Sequence, residues 1–352
     1  MEIDGRLIGG ETAYCIAEIG HNHGGDIERC KEMILAAKKC GVDAVKLQKR
    51  DSQSLFTKEL YGRTMRGQDA YGKTFGEHWE ALELSFEQYK ELKEYAGRVG
   101  LTFFATAFDF VSVDFLEKLG VPCYKIASGD LLNTPLQKYI AGTGKPVILS
   151  TGGGSYEDVS RAYETVMRIN KNLVLMQCTI SYPCEPQDIH LSVIGEYKKR
   201  YPDIVIGFSD HFIGKMFGPP AYVLGARVFE KHFTLNKHWK GTNHWFSLEQ
   251  EDMAKYVRDI HNVVLAMNSE FTLTPNRNEK NVLECEIEPL YERGKKLIVA
   301  RKVKAGEVLT EADIRIVSPN DGLSPYEIDN FIGKKLKQDL EEESNLTWEA
   351  VG

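Results

Sequence analysis

From residue 13 to about residue 266 the chain alternates short apolar runs with longer stretches whose apolar positions recur at helical spacing. The short apolar runs at 14–18, 44–47, 102–105, 123–126, 146–149, 173–177, 204–207 and 228–231 are strand candidates. Between them, 27–39, 86–99, 111–119, 159–169, 189–201 and 253–267 follow the helical period. Ser85 with Gln88 three residues on reads as a capping box opening the second of these. Eight strand–helix units in about 250 residues is the count of a (β/α)8 TIM barrel. An open doubly wound sheet is the main competitor, but the repeats carry no Rossmann glycine fingerprint.

Two stretches break the rhythm. The insertion at 51–84 is too long for an ordinary loop between a strand and a helix. Its Gly62, Gly67, Gly72 and Gly76, interleaved with Tyr61, Tyr71, Phe75 and Trp79, predict an ordered lid or partner contact; a solvent-exposed loop is the alternative. After Asn268 a linker-like run at 271–278 leads to short strand and turn pieces. The expected organisation is a catalytic barrel over 1–268, a linker over 269–293 and a compact module over 294–352. A module of about 60 residues has only a small core and often docks on something larger.

Composition narrows the function. Of 352 residues 42% are hydrophobic and 27% charged, a globular balance. A net charge of −7 disfavours nucleic acid or an acidic membrane as a partner, although a locally basic pocket could hold a small anion. No apolar run reaches the roughly 18 residues of a membrane span, and Met1-Glu2-Ile3-Asp4 has no signal-peptide core, so a cytoplasmic location is expected. The seven cysteines are scattered without a CxxC pair. Free, buried thiols are the expectation, with Cys178 a candidate for lining a pocket.

Catalytic groups of such barrels gather at the C-terminal ends of the strands. Those positions are rich in reactive residues here: Glu18, Lys46 with Gln48, Thr106, Lys125 with Ser128 and Asp130, Ser150, Tyr182, Ser209 with His211, and His232. His211 and His232 end adjacent strands, and two imidazoles beside open positions suit a borderline divalent ion such as manganese. Lys46 and Lys125 are costly to bury without negative partners. With Thr106, Ser128, Ser150 and Ser209 they describe a donor-rich pocket for a phosphate and a carboxylate, or else a Schiff-base aldolase. Glu18 and Asp130 are placed to orient hydroxyls or move protons.

The motifs Ala17-Glu18-Ile19-Gly20-His21-Asn22-His23, Val45-Lys46-Leu47-Gln48, Lys125-Ile126-Ala127-Ser128-Gly129-Asp130, Gly207-Phe208-Ser209-Asp210-His211 and Glu230-Lys231-His232 resemble those of the sialic acid synthase family. That family condenses phosphoenolpyruvate with an N-acylmannosamine-type sugar. The resemblance covers almost the whole chain, and the tail from about Gly294 looks like the family's antifreeze-like (SAF) domain. It implies metal binding by His211 and His232, usually of manganese, with magnesium or cobalt as alternatives. It implies a phosphoenolpyruvate site of Lys46, Thr106, Lys125, Ser128, Ser150 and Ser209. Glu18, Asp130, Gln48, Tyr182 and Asn243 are then expected at the sugar. It further implies a swapped homodimer in which the SAF domain covers the partner's active site.

Three positions depart from the family pattern. Asn243 stands where aspartate is common, Ile180 where some members have asparagine, and Ser318 where some present an arginine, with Arg315 nearby. The acceptor therefore stays open between an N-acylmannosamine, its 6-phosphate and a 2,4-diacetamido-trideoxy sugar. A non-catalytic sugar-acid binder is the reading from a different class.

Overall fold

A computed structural model describes residues 1–268 and 280–352, and the chain divides into two compact units, Met1–Asn268 and Ser269–Gly352. In the first, a short antiparallel pair (Glu2–Ile3 with Arg6–Leu7) precedes eight strands. These are β1 (Tyr14–Gly20), β2 (Ala44–Lys49), β3 (Thr102–Ala107), β4 (Tyr124–Ile126), β5 (Val147–Ser150), β6 (Leu173–Cys178), β7 (Val205–Asp210) and β8 (Val228–His232). They pair in parallel in sequence order, and β8 bonds both β7 and β1, closing the (β/α)8 barrel. The strands are apolar because both faces are covered: β1, β3 and β6 are buried at every position.

A helix follows each strand: α1 (Ile27–Lys39), α2 (Phe86–Arg98), α3 (Phe110–Leu119), α4 (Thr134–Gly142), α5 (Tyr156–Met167), α6 (Ser192–Arg200), α7 (Gly218–Leu224) and α8 (Gln250–Asn268). The apolar stripe of α1 buries Cys30, Met33, Ile34, Ala36 and Ala37 at the spacing that faces one side. The capping box at α2 is formed: Ser85 Oγ accepts from Gln88 N and Gln88 Oε1 accepts from Ser85 N. Helices α4 and α7 left no periodic signal, being nine and seven residues long. The insertion at 51–84 is ordered as short helices Ser52–Leu55, Lys58–Gly62 and Phe75–Glu80. It is tied to the loop after β8, where Tyr71 Oη donates to Lys240 O at 2.6 Å.

In the second unit β9 (Lys296–Val299) pairs antiparallel with β10 (Ile314–Val317) over a core including Leu297, Val299, Val303, Leu309, Phe331 and Leu346. Of the expected linker over 269–293, residues 269–279 lie outside those described. The remainder is not all linker, because Glu284–Arg293 is a helix, α9. Pro289 within it hid the helical signal, while Glu286 Oε2 accepts from Leu283 N and secures its start. Six cysteines are free and buried, and Cys285 on α9 is exposed. Among the described residues no helix is long and apolar enough to cross a membrane.

Candidate active site

Side chains alternate along a strand, so one pleat phase of each strand points into the barrel. That phase carries Glu18 on β1, Lys46 and Gln48 on β2, Thr106 on β3, Lys125 on β4, Ser150 on β5, Cys178 on β6, Ser209 on β7, and Glu230 and His232 on β8. All of them line one cavity of about 290 Å³. Strand register sets Glu18 beside Lys46 and His232, and Ser209 beside Glu230 and Cys178. Ser128, Tyr182, His211 and Asn243 join the wall from the following loops.

The floor is a buried, charge-matched array. Lys46 Nζ lies 2.7 Å from Glu18 Oε2 and 3.6 Å from Glu230 Oε1, and donates to Thr106 Oγ1 at 2.8 Å. Lys125 Nζ is 3.8 Å from the same Glu230 oxygen. Burial opposes the charge of Lys46, yet the Glu18 and Glu230 carboxylates outweigh it and hold its pKa above the ordinary value. At Lys125 burial wins, with Lys46 as a like-charged neighbour, and its pKa is lowered. Burial likewise raises the pKa of Glu18, against the pull of Lys46. The Ser150 hydroxyl and Glu230 Oε2 are buried without a hydrogen-bond partner among the described residues. Buried polar atoms are seldom left so, and here they face a cavity that a polar ligand would fill.

Gly152 brings backbone to this wall, its N–H donating to Ser128 Oγ at 3.0 Å. A Cβ there would stand 2.8 Å from that oxygen and 2.9 Å from Ile180 N, so glycine is required by close approach.

The two imidazoles meet as the sequence suggested, with ring centroids 5.5 Å apart. His211 Nδ1 lies 2.8 Å from the Thr179 carbonyl oxygen, which can only accept. That bond fixes the proton on Nδ1 and leaves the Nε2 lone pair available, the arrangement found at metal-ligating histidines. His232 Nδ1 is buried with no hydrogen-bond partner among the described residues. Tyr182 and Phe246 wall the pair, 4.2 Å from His211 and 5.0 Å from His232 between centroids. The donor set therefore fits a divalent ion with open positions. Another donor trio, Cys15, Asp43 and His261, sits by the opposite ends of the strands, where Asp43 is already paired with Arg6.

Asp130 is the expected residue that the structure does not bring to the cavity wall. The chain turns sharply over Ser128–Asp130, so Ser128 stays on the wall while Asp130 Oδ1 accepts from Asn133 Nδ2 at 2.9 Å at the start of α4. Sequence reasoning assigned no role to Glu230, although it lies two residues before His232 in the same pleat phase. It also missed Arg50 and Phe108, which line the cavity from the ends of β2 and β3 together with Trp79, an aromatic of the insertion expected to be ordered. In the second unit Ser318 Oγ accepts from Lys295 Nζ at 2.7 Å, so a cation stands beside the position that lacks arginine.

A closed (β/α)8 barrel whose C-terminal strand ends gather buried lysines, carboxylates and two imidazoles around one cavity has the charge-lined centre that suits a small anion. Residues 33–271 match the NeuB family and residues 296–352 the SAF domain. The chain belongs to the NeuB family, the sialic acid synthases that its motifs resemble. It is 38% identical to the N-acetylneuraminate-9-phosphate synthase of Homo sapiens over 99% of this chain and 95% of that one. Against the N,N'-diacetyllegionaminic acid synthase of Legionella pneumophila it is 34% identical over 97% and 95%. The crystal structure of the N-acetylneuraminic acid synthetase of Leptospira borgpetersenii superposes with a TM-score of 0.70 at 28% identity, covering 82% of this chain and 94% of that one.

Proposed function

We propose that the chain condenses phosphoenolpyruvate with an N-acylmannosamine-type sugar, giving a nine-carbon 2-keto sugar acid and inorganic phosphate. The observation that carries this reading is the convergence of Lys46, Lys125, Thr106, Ser128, Ser150 and Ser209 on one buried cavity beside two imidazoles. Ammonium groups and hydroxyls of this kind suit a ligand that bears a phosphate and a carboxylate together.

In the reaction, the lysines and hydroxyls fix the enol phosphate so that its C3 faces the aldehyde carbon of the open-chain acceptor. A C3–C1 bond forms and the aldehyde oxygen takes a proton, while positive charge develops at C2. The carboxylates of Glu18 and Glu230, which line the same cavity, stabilise that charge, and Glu18, with Gln48 donating to its Oε1 at 2.7 Å, orients the water that adds to C2. The added water gives up two protons, one balancing that taken by the aldehyde oxygen and one leaving with the phosphate, as the C–O bond to phosphate breaks and the ketone forms. His211 and His232 would hold a divalent ion, manganese in our reading with magnesium or cobalt also suited, and such an ion draws charge from an aldehyde oxygen.

The test is phosphate release from phosphoenolpyruvate with N-acetylmannosamine, its 6-phosphate and a 2,4-diacetamido-trideoxy sugar as acceptors. Acceptor-dependent release is expected. Oxygen-18 placed in the bridging C–O position is expected to leave with the phosphate. Borohydride with pyruvate should leave the protein's mass unchanged; a reduced adduct on Lys125, whose lowered pKa suits imine chemistry, would establish the aldolase reading instead.

The SAF domain is proposed to close the site of the second subunit of a homodimer. Deleting residues 294–352 is then expected to lower kcat/KM about 10²-fold, the scale on which a misplaced reactant slows a reaction. Full activity of a folded, truncated chain would remove the domain from catalysis.

A further inference from the structure

Arg50 lies just beyond β2 in the same pleat phase as Lys46 and Gln48, so it continues their wall toward the mouth. At about 3.3 Å per residue its backbone stands roughly 13 Å above that of Lys46. Its guanidinium carbon is 3.8 Å from the Trp79 ring centroid and 4.4 Å from that of Phe108. Stacking of this kind favours the cation and holds its plane, so its N–H groups are aimed before any ligand arrives. Nη2 donates to Gln48 Oε1 at 2.8 Å, and Nε is buried without a hydrogen-bond partner among the described residues. Arg50 is only 6% exposed, and with Trp79 and Phe108 it lines the cavity.

The charge balance sets Arg50 apart. Each floor lysine has a carboxylate within 4 Å, at 2.7 Å for Lys46 and 3.8 Å for Lys125. Arg50 has no ion pair among the described residues. Glu83 and Asp109 act on its charge only from beyond 4 Å; Glu83 bonds Lys49 Nζ and the Arg50 backbone N–H, and Asp109 bonds Ser112 and the Asp51 backbone N–H. A desolvated guanidinium with no carboxylate in direct contact is costly, and a bound anion in contact offsets that cost. Burial lowers the pKa of Arg50 to about 10, so it remains charged at neutral pH.

The direction of the acceptor follows from the chemistry. Its aldehyde must reach the enol phosphate at the lysine floor, so its far end points up the wall toward Arg50. We propose that Arg50, held by Trp79 and Phe108, binds a phosphate monoester at the end of the acceptor remote from the aldehyde, making this chain a synthase for a phosphorylated acceptor. The inference rests on the condensation reading above and specifies its substrate.

Initial rates of keto-acid formation with the full-length, manganese-loaded protein test it. The 6-phosphate of N-acetylmannosamine is expected to exceed the free sugar and the trideoxy sugar in kcat/KM. Arg50→Met should reduce the preference for the phosphorylated over the free sugar by about 30-fold or more, the low end of the cost of losing one partner of a buried charge pair. The loss should lie chiefly in KM for the phosphorylated acceptor, and Arg50→Lys should recover part of the preference. A higher kcat/KM of the wild-type protein for any unphosphorylated acceptor overturns the assignment, whatever the folding of the variants. So does a folded Arg50→Met variant that slows both sugars alike. Absence of acceptor-dependent phosphate release with every sugar is a different failure, that of the condensation reading itself.

Discussion

Replacing His211 or His232 with alanine is expected to lower kcat/KM by about 10³-fold or more, equivalent to roughly 4 kcal/mol of transition-state stabilisation. The expectation follows from the available nitrogens. The Thr179 carbonyl holds His211 with its Nε2 lone pair available, and His232 Nδ1 is buried and unpartnered among the described residues. Neither ring hydrogen-bonds the other, so the pair has nitrogens free for a shared ligand. Loss of one ring should therefore weaken retention of manganese by the gel-filtered protein, measured by elemental analysis, as strongly as it reduces turnover. Tm in chelator should change little. A variant that retains the metal, or wild-type protein that turns over fully in chelator, would remove both residues from a metal role.

Lys46→Met should be nearly as damaging, and for two separable reasons. The ammonium is 2% exposed and stands between Glu18 and Glu230, so its removal leaves buried carboxylates with one cation fewer. Breaking a buried pair in this way costs about 3–5 kcal/mol of stability. Losing a positive charge from the anion site should also cut kcat/KM for phosphoenolpyruvate by about 10²-fold or more. The double variant Lys46→Met/Glu18→Gln separates the two effects, because neutralising Glu18 removes most of the stranded charge. Thermal unfolding should recover in the double variant, while its activity stays about 10²-fold below that of Glu18→Gln alone. Recovered stability with activity equal to that of Glu18→Gln would make Lys46 a core ion-pair lysine and nothing more.

The contrast between these predictions and the one for Arg50 reflects depth. At the floor, cations and carboxylates are matched, so each side chain supports the fold as well as the ligand. At the mouth, aromatic stacking holds Arg50, whose guanidinium has no ion pair among the described residues.

Much of this was legible in the chain itself. Apolar runs at strand length, separated by helical periods, determine a closed parallel barrel, because such strands must be covered on both faces. Barrel chemistry at the C-terminal strand ends then selected Lys46, Lys125, Ser150, Ser209, His211 and His232, whose positions follow from strand phase. Where the backbone leaves regular structure, phase no longer predicts direction. Asp130 sits in a tight turn and bonds the start of α4, although its neighbour Ser128 faces the cavity. Glu286 and Leu283 start a helix inside a stretch that Pro289 makes look like linker. Only the tertiary structure brings Trp79, from an insertion of irregular pattern, against Arg50 and Phe108, since that contact joins segments with no shared period. It also shows that Lys46 is paired and Arg50 is not, because a charge's partner depends on distance in space rather than on separation along the sequence.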